Sequence, residues 1–352
     1  MAGTTSEPSA KRMEVALVLQ GGGALGAYEY GAILGLFDAM DKMKERQITL
    51  TGVTGVSIGA VNAACVVGAD DRDDARKRLS DLWNDFAICA PFFSTDIALL
   101  GVPRFYTLWP SLTALYDTDQ LLTTLSKHVC FATLNKNATA FVVTAVDVER
   151  GTLTWFANRK VGEIKATTIT PKHVLASGSL APQFPWTYVA NGSEERPYWD
   201  GGIVDNTPLG AAIDSFSPED EVDRFLVVMN LFPLKAERPN SLTQVNDRVD
   251  QLRFGNRLRQ DTKNAQVIND MILTIERLKA HAPSKLREEI DEQYGKYKHV
   301  ITVEVSLSGD AKYSDMDGFR DFSYQGIKSR RDKGREIAFP KIIDAFNTRR
   351  AA

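Results

Sequence analysis

Cysteine is scarce in this sequence: Cys65, Cys89 and Cys130 are the only three in 352 residues. None has the C-x-x-C spacing of a zinc site or redox motif, and an odd number argues against a disulfide framework. All three stand among apolar neighbours and are expected to be buried free thiols, which points to a reducing compartment and a cytoplasmic setting. Histidine is almost as rare, with His128, His173, His281 and His299 far apart and none in a setting that suggests a catalytic loop. Neither a metal nor a cofactor is expected. No apolar run reaches the roughly 18 residues of a membrane-spanning helix. The run Val15–Leu19 is also shorter than the roughly 7 to 15 apolar residues of a cleaved secretory leader. Any contact with a membrane is therefore expected to be peripheral. No Gly-Lys-Ser/Thr follows the first glycine cluster, which excludes a P-loop.

The chain also lacks a strong charge of either sign, with 42 basic and 45 acidic residues. The distribution is uneven: residues 241–352 hold 21 basic and 17 acidic residues, a net of +4, which leaves the first 240 at −7. That difference is too small to suggest nucleic acid. It could suit an anionic membrane surface, although electrostatic balance between the two parts is the favoured reading. With 43% apolar and 25% charged residues, the composition is that of an ordinary globular chain, long enough for one large domain or two smaller ones.

Residues 1–12 are small and polar and read as a disordered start. Glu14-Val15-Ala16-Leu17-Val18-Leu19 is a short continuous apolar run of the kind that becomes a strand covered on both faces. Glycines follow at once, and apolar residues then recur at helical spacing from Ala27 to Met40. Ile48–Val53, a turn at residues 55–59 and a helix from Ala60 to Val67 repeat the pattern. Two strand-turn-helix units in series predict a mostly parallel sheet with helices on its faces. Further strands are predicted at 139–146, 153–156 and 225–230, the first two as a hairpin through Glu149-Arg150-Gly151. Beyond Pro233 and Pro239 the composition shifts. Helical stretches are predicted at 242–279 and 321–346, with a strand at 299–306 between them. Residues 13–235 are therefore expected to form the main domain, and 236–352 a mainly helical extension packed on it.

Three motifs carry chemistry. Gly21-Gly22-Gly23-Ala24-Leu25-Gly26 joins the first strand to the first helix, where glycines let backbone N–H groups converge beside a helix N-terminus. Such a nest suits a phosphate or an oxyanion equally. It also fits the dinucleotide pattern G-x-G-x-x-G, but the second strand ends in Thr54-Gly55 without the acidic residue that would bind a ribose, which argues against a nicotinamide oxidoreductase. Gly55-Val56-Ser57-Ile58-Gly59 is G-x-S-x-G at a strand-to-helix turn, the context in which a serine hydroxyl projects as a nucleophile. Asp200-Gly201-Gly202 places a carboxylate at a tight turn, with Asp205 as a lower-ranked local competitor.

In this order the three motifs resemble the patatin-like phospholipase family, over roughly residues 13–235. Ala176-Ser177-Gly178-Ser179-Leu180-Ala181-Pro182 with Phe184-Pro185 resembles a further family segment, with two residues inserted or shifted. The resemblance implies a three-layer α/β sandwich and a serine acyl hydrolase acting on a lipid acyl ester. It further implies Ser57 as nucleophile and Asp200 as base, with Gly21, Gly22, Gly23, Ala24 and Gly26 forming an oxyanion loop. Gly55 and Gly59 would shape the nucleophile turn, and Gly201 and Gly202 the loop that supports Asp200. The donors would be the backbone N–H groups of Gly22, Gly23 and Ala24. Residues 321–335 resemble an extension found in bacterial members. An acyl transferase would share the acyl-enzyme, and a catalytically inert lipid-binding protein would not need the three motifs intact. A Ser-Asp-His triad could in principle draw on His281 or His299, with structural histidine the better default.

Eight aromatics lie between Trp83 and Tyr116, including Phe92, Phe93, Phe105, Tyr106 and Trp109. They could form an acyl-chain groove, a membrane-facing lid or a core wall. The basic run Lys328, Arg330, Arg331, Lys333 and Arg335 reads as a solvated helix face, with anionic lipid heads as the alternative contact.

Overall fold

The computed structural model describes residues 12–88, 114, 118–192, 194–232, 234–307 and 320–347. The expectations placed on residues 1–11, on Cys89 and on the aromatics from Phe92 to Tyr116 lie outside them. Arg12, expected in a disordered start, already opens a strand, where its guanidinium meets Glu14 at 2.7 Å and Glu219 at 2.9 Å.

The chain runs β1 (Arg12–Leu19), α1 (Gly26–Lys42), β2 (Ile48–Gly55), α2 (Ile58–Val67) and α3 (Arg72–Ile88). Two short helices, Asp119–His128 and Phe131–Lys136, lead into the antiparallel pair β3 (Ala140–Asp147) and β4 (Thr152–Ala157). The helix Pro171–Ser177 precedes a second antiparallel pair, β5 (Thr187–Asn191) and β6 (Glu194–Asp200). A helix at Leu209–Ile213 leads to β7 (Val222–Asn230), followed by helices Leu242–His281 and Ser284–Tyr294. Strand β8 (Ile301–Ser306) and a terminal helix, Tyr324–Asn347, complete the chain.

All eight strands form one sheet in the order β5-β6-β3-β2-β1-β7-β8, with β4 paired to β3 off this path. The β3-β2-β1-β7-β8 pairings are parallel. Side chains alternate across the pleat, so a strand covered on both faces sorts its residues between two cores. In β1, Met13, Val15, Leu17 and Leu19 face a core built with α1, α2, α3 and the terminal helix. Ala16 and Val18 face a smaller one with Leu209, Ala212 and Leu258. The fold is thus a mostly parallel sheet between two helical layers, with a largely helical C-terminal part.

That C-terminal part enters the architecture more deeply than its sequence pattern conveys. Strand β8 extends the sheet beyond β7, and the terminal helix lies along α1. Their backbones approach so closely that a Cβ on Gly31 would sit 1.8 Å from the Arg331 carbonyl oxygen, and one on Gly334 2.1 Å from that of Tyr28. Of the basic run, Arg330, Arg331 and Arg335 pair with Asp321, Asp332 and Asp38. Trp83 and Phe86 belong to the main core. Cys65 is buried as expected, but Cys130 is only half-buried. It stands at the N-cap position of the 131–136 helix, where Thr133 Oγ1 donates to its sulfur at 3.3 Å.

Candidate active site

Strand β3 brings together two parts of the chain that are 143 residues apart. Its one edge is taken by β4, so β2 and β6 must share the other, β2 along Ala140–Val143 and β6 along Ala145–Asp147. Gly55 therefore pairs with Val143 and Asp200 with Ala145, two residues further on. The turns that leave β2 and β6 open beside each other. There the Ser57 side chain stands beside the Asp200 carboxyl, near enough to favour its charged form.

Ser57 sits between β2 and α2 with φ of 55°, the only non-glycine residue with positive φ among the described residues. That conformation costs on the order of 1–3 kcal/mol for a residue with a Cβ, and the surroundings hold it. The Ser57 N–H donates to Ser177 Oγ at 2.9 Å, while its carbonyl accepts from Ala60 and Val61 in the first turn of α2. Gly59 lies against the end of β1, where a Cβ would come within 2.6 Å of the Leu19 and Gln20 carbonyl oxygens. The turn is as tight as the motif predicts, and no larger residue fits it.

Asp200 is 2% exposed. Its N–H donates to the Ser179 carbonyl at 3.0 Å, and its Oδ1 accepts the Gly202 N–H at 2.7 Å. Burial raises the carboxyl from 3.8 to about 7, against the opposing hydrogen bonds from Gly202 and Ser57. Gly201 and Gly202 form a single tight turn beneath it. Asp205 is turned away to its own loop, accepting the Thr207 N–H at 2.9 Å. Burial raises its carboxyl as well, with Arg257 opposing.

The glycine loop leaves β1 at Gln20. The Gly21 N–H donates to Asn206 Oδ1 at 2.9 Å and Asn206 Nδ2 donates to the Gly21 carbonyl at 3.0 Å. Leu25 N–H returns to the Gly22 carbonyl, and Gly26 N–H to those of Gly23 and Ala24. Gly21 and Gly26 thus shape the loop with their N–H groups engaged, whereas those of Gly22, Gly23 and Ala24 make no backbone bond among the described residues. Gly23 has φ of 53°, the left-handed region that glycine adopts without penalty.

Several residues that sequence reasoning did not single out hold this arrangement. Gln20 Nε2 donates to Thr207 Oγ1 at 2.6 Å, and its Oε1 accepts the Leu231 N–H at 2.8 Å. The Gln20 N–H donates to Glu29 Oε1 at 2.6 Å, Asn62 Nδ2 to Glu29 Oε2 at 3.2 Å, and Trp83 Nε1 to Asn62 Oδ1 at 2.9 Å. Trp83 carried a signal only as one of the eight aromatics, and Ser177 and Ser179 as parts of the 176–185 segment. That segment flanks both central residues, with Ser177 on Ser57 and Ser179 on Asp200.

Of the histidines, His173 is buried against Phe156, with burial lowering it to about 4. His299 precedes β8, at the end of the sheet opposite Ser57. Among the described residues no cluster of three or more His, Cys, Asp or Glu is arranged to hold a metal ion. No helix among them is long and apolar enough to cross a membrane.

A mostly parallel sheet between helical layers, carrying a serine at a strand-to-helix turn beside a buried aspartate, defines a class of α/β fold that the comparisons identify. The patatin-like phospholipase family matches residues 17–213, more than half of the chain, and the protein belongs to that family. Among solved structures, VipD from Legionella pneumophila aligns at 14% identity and a TM-score of 0.36, over 97% of this chain and 68% of its own. The ExoU–SpcU complex of the type III secretion system of Pseudomonas aeruginosa aligns at 18% identity and a TM-score of 0.32. That alignment covers 73% of this chain and 52% of the matched one, so the protein spans about half of that chain's length. No curated protein matches.

Proposed function

We propose that the protein is a serine acyl hydrolase that cleaves fatty acyl esters of lipids through a Ser57–Asp200 dyad. Family membership supports the lipid-hydrolase class. The observation that carries the dyad is the buried Asp200 carboxyl, raised to about 7 and set beside the Ser57 side chain at the paired ends of β2 and β6. A carboxylate of ordinary acidity is a weak base toward a hydroxyl, and burial strengthens it toward the pH at which it must work.

In the first step Asp200 takes the proton from Ser57 Oγ as the oxygen attacks the ester carbonyl carbon. The C–O bond to the alcohol then breaks, with the proton passing from Asp200 to the leaving oxygen, and an acyl-Ser57 ester remains. Water, giving a proton to Asp200, attacks that ester; the bond from the acyl carbon to Ser57 Oγ breaks, Asp200 returns the proton to Oγ, and the fatty acid leaves. The charge on the carbonyl oxygen is met by the N–H groups of Gly22, Gly23 and Ala24, each worth on the order of 3 kcal/mol by comparison with other oxyanion holes. Residues 13–235 constitute the hydrolase unit in this reading, and 236–352 an extension packed on it rather than an independent module. Contact with the membrane is peripheral, in a cytoplasmic setting.

The test is covalent labelling with a fluorophosphonate, comparing wild type with Ser57→Ala and Asp200→Asn. Stoichiometric labelling mapped to Ser57, absent in Ser57→Ala and much slower in Asp200→Asn, is expected. Labelling at another residue, or none in well-folded wild type, refutes the dyad.

A further inference from the structure

Glu29 is a fully buried carboxyl that the proposed chemistry does not use. It stands in the first turn of α1, with 0% exposure and no cation paired to it among the described ion pairs. Burial pushes its carboxyl well above the ordinary range, against hydrogen bonds from Asn62 and Gln20. An apolar side chain of similar volume would avoid that desolvation, so the carboxyl needs a reason for being here.

The reason lies in what its two oxygens hold. Oε1 accepts the Gln20 N–H at 2.6 Å and Oε2 accepts Asn62 Nδ2 at 3.2 Å. At Gln20 the chain has left the sheet, since Leu19 is the last residue of β1 in register with β2 and β7. Its N–H therefore needs an acceptor outside the ladder. Glu29 supplies one from nine residues downstream, and the hydrogen bond closes a ring around Gly21, Gly22 and Gly23. Three consecutive glycines have the largest backbone entropy of any such segment, whereas an oxyanion hole works only if its donors are already aimed. Tying the two ends of the segment together resolves that conflict. Asn62 is in turn fixed by Trp83 Nε1 at 2.9 Å and by the Gly26 carbonyl at 3.0 Å, so the anchor is itself anchored in α2 and α3.

We propose that Glu29 is a positioning residue that, through the Gln20 N–H, fixes the glycine loop so that the Gly22 and Gly23 N–H groups face the substrate carbonyl oxygen. This rests on the acyl hydrolase reading above. It assigns Glu29 no proton transfer and no contact with substrate.

Turnover of a short-chain 4-nitrophenyl ester by wild type, Ser57→Ala, Glu29→Gln and Glu29→Met tests it, with thermal unfolding measured in parallel. Glu29→Met removes both acceptors at similar volume. It is expected to lower kcat by about 10- to 100-fold with KM nearly unchanged in protein that is still folded, and to lower the melting temperature because the Gln20 N–H and the Asn62 amide lose their acceptor. Glu29→Gln retains an acceptor for the Gln20 N–H and is expected to stay within about threefold of wild-type kcat. A folded Glu29→Met with wild-type kcat overturns the proposal, as does a Glu29→Gln that loses as much as Glu29→Met. If Glu29→Met does not fold, Glu29→Asp replaces it, because it withdraws the carboxyl by one methylene. The same loss of kcat is then expected, and wild-type kcat overturns the proposal. Turnover that survives Ser57→Ala refutes the hydrolase dyad itself, an outcome separate from any result at Glu29.

Discussion

The Asn206 carboxamide and the Gly21 peptide exchange two hydrogen bonds, of 2.9 and 3.0 Å, across 185 residues of sequence. The pair locks the first peptide of the glycine loop to the loop that follows Asp200, so the proposed nucleophile, base and oxyanion donors share one frame. Asn206→Ala removes both bonds, each worth about 1 kcal/mol net. It is expected to lower kcat by roughly 10- to 100-fold while KM changes little. Asn206→Asp keeps the acceptor for the Gly21 N–H and should fall between the two, as steady-state kinetics on a soluble ester would show.

The acidity of Asp200 sets a pH profile. In the proposed dyad only its ionised form would accept the Ser57 proton, and its carboxyl is raised to about 7. The value of kcat/KM is expected to rise about tenfold per pH unit below 7 and to level off above about 8. A profile that is already flat at pH 5 would remove Asp200 from the role of base.

The same shift has a consequence for stability. The folded-state value lies above the unfolded one, 3.8, so the group's contribution is fully present below pH 3.8 and is lost as pH rises through about 7. Asp200→Asn does not titrate. Its stability relative to wild type is expected to increase between pH 4 and 7 and to hold constant above about 8, with a total change of up to about 4 kcal/mol. Urea unfolding of both proteins at pH 5 and pH 8 measures this difference, and equal gaps at the two pH values would contradict it.

Close approach of α1 and the terminal helix predicts a structural effect at a distance from the chemistry. The Cβ of Gly31→Ala would meet the Arg331 carbonyl carbon and oxygen, main-chain atoms that cannot rotate away. A loss of about 2–4 kcal/mol is expected. Because α1 carries Glu29 and the end of the glycine loop, reactivity toward a fluorophosphonate should fall along with stability. Gly210→Ala, with nothing within 4 Å of its added Cβ, is the matched control.

Local order was legible in the sequence. Period-2 and continuous apolar runs located β1, β2, β3, β4, β7 and β8 to within about three residues, because a buried strand must be apolar wherever it is covered. Helical spacing likewise located α1, α2, the 242–281 helix and the terminal helix. Strands β5 and β6 were missed: Glu194-Glu195-Arg196-Pro197 has the charge and proline of an edge, not the pattern of a covered strand. The turns at Ser57 and after Asp200 were legible because their neighbours are glycines, and a tight turn states its backbone requirement in its own residues.

What the sequence determined by itself was therefore whatever depends on neighbours in the chain: the elements, the tight turns, and the order of the three motifs. Only the tertiary structure decided which side chains lose water and which partners they then meet. Glu29 reads locally as one acidic residue in a first helical turn. Its burial depends on Asn62, Trp83 and the loop it closes. The weakened acidity of Asp200, the Asn206–Gly21 exchange and the close approach of Gly31 to Arg331 and of Gly334 to Tyr28 are equally long-range. Desolvation and close packing depend on residues far apart in sequence, and no local pattern records them.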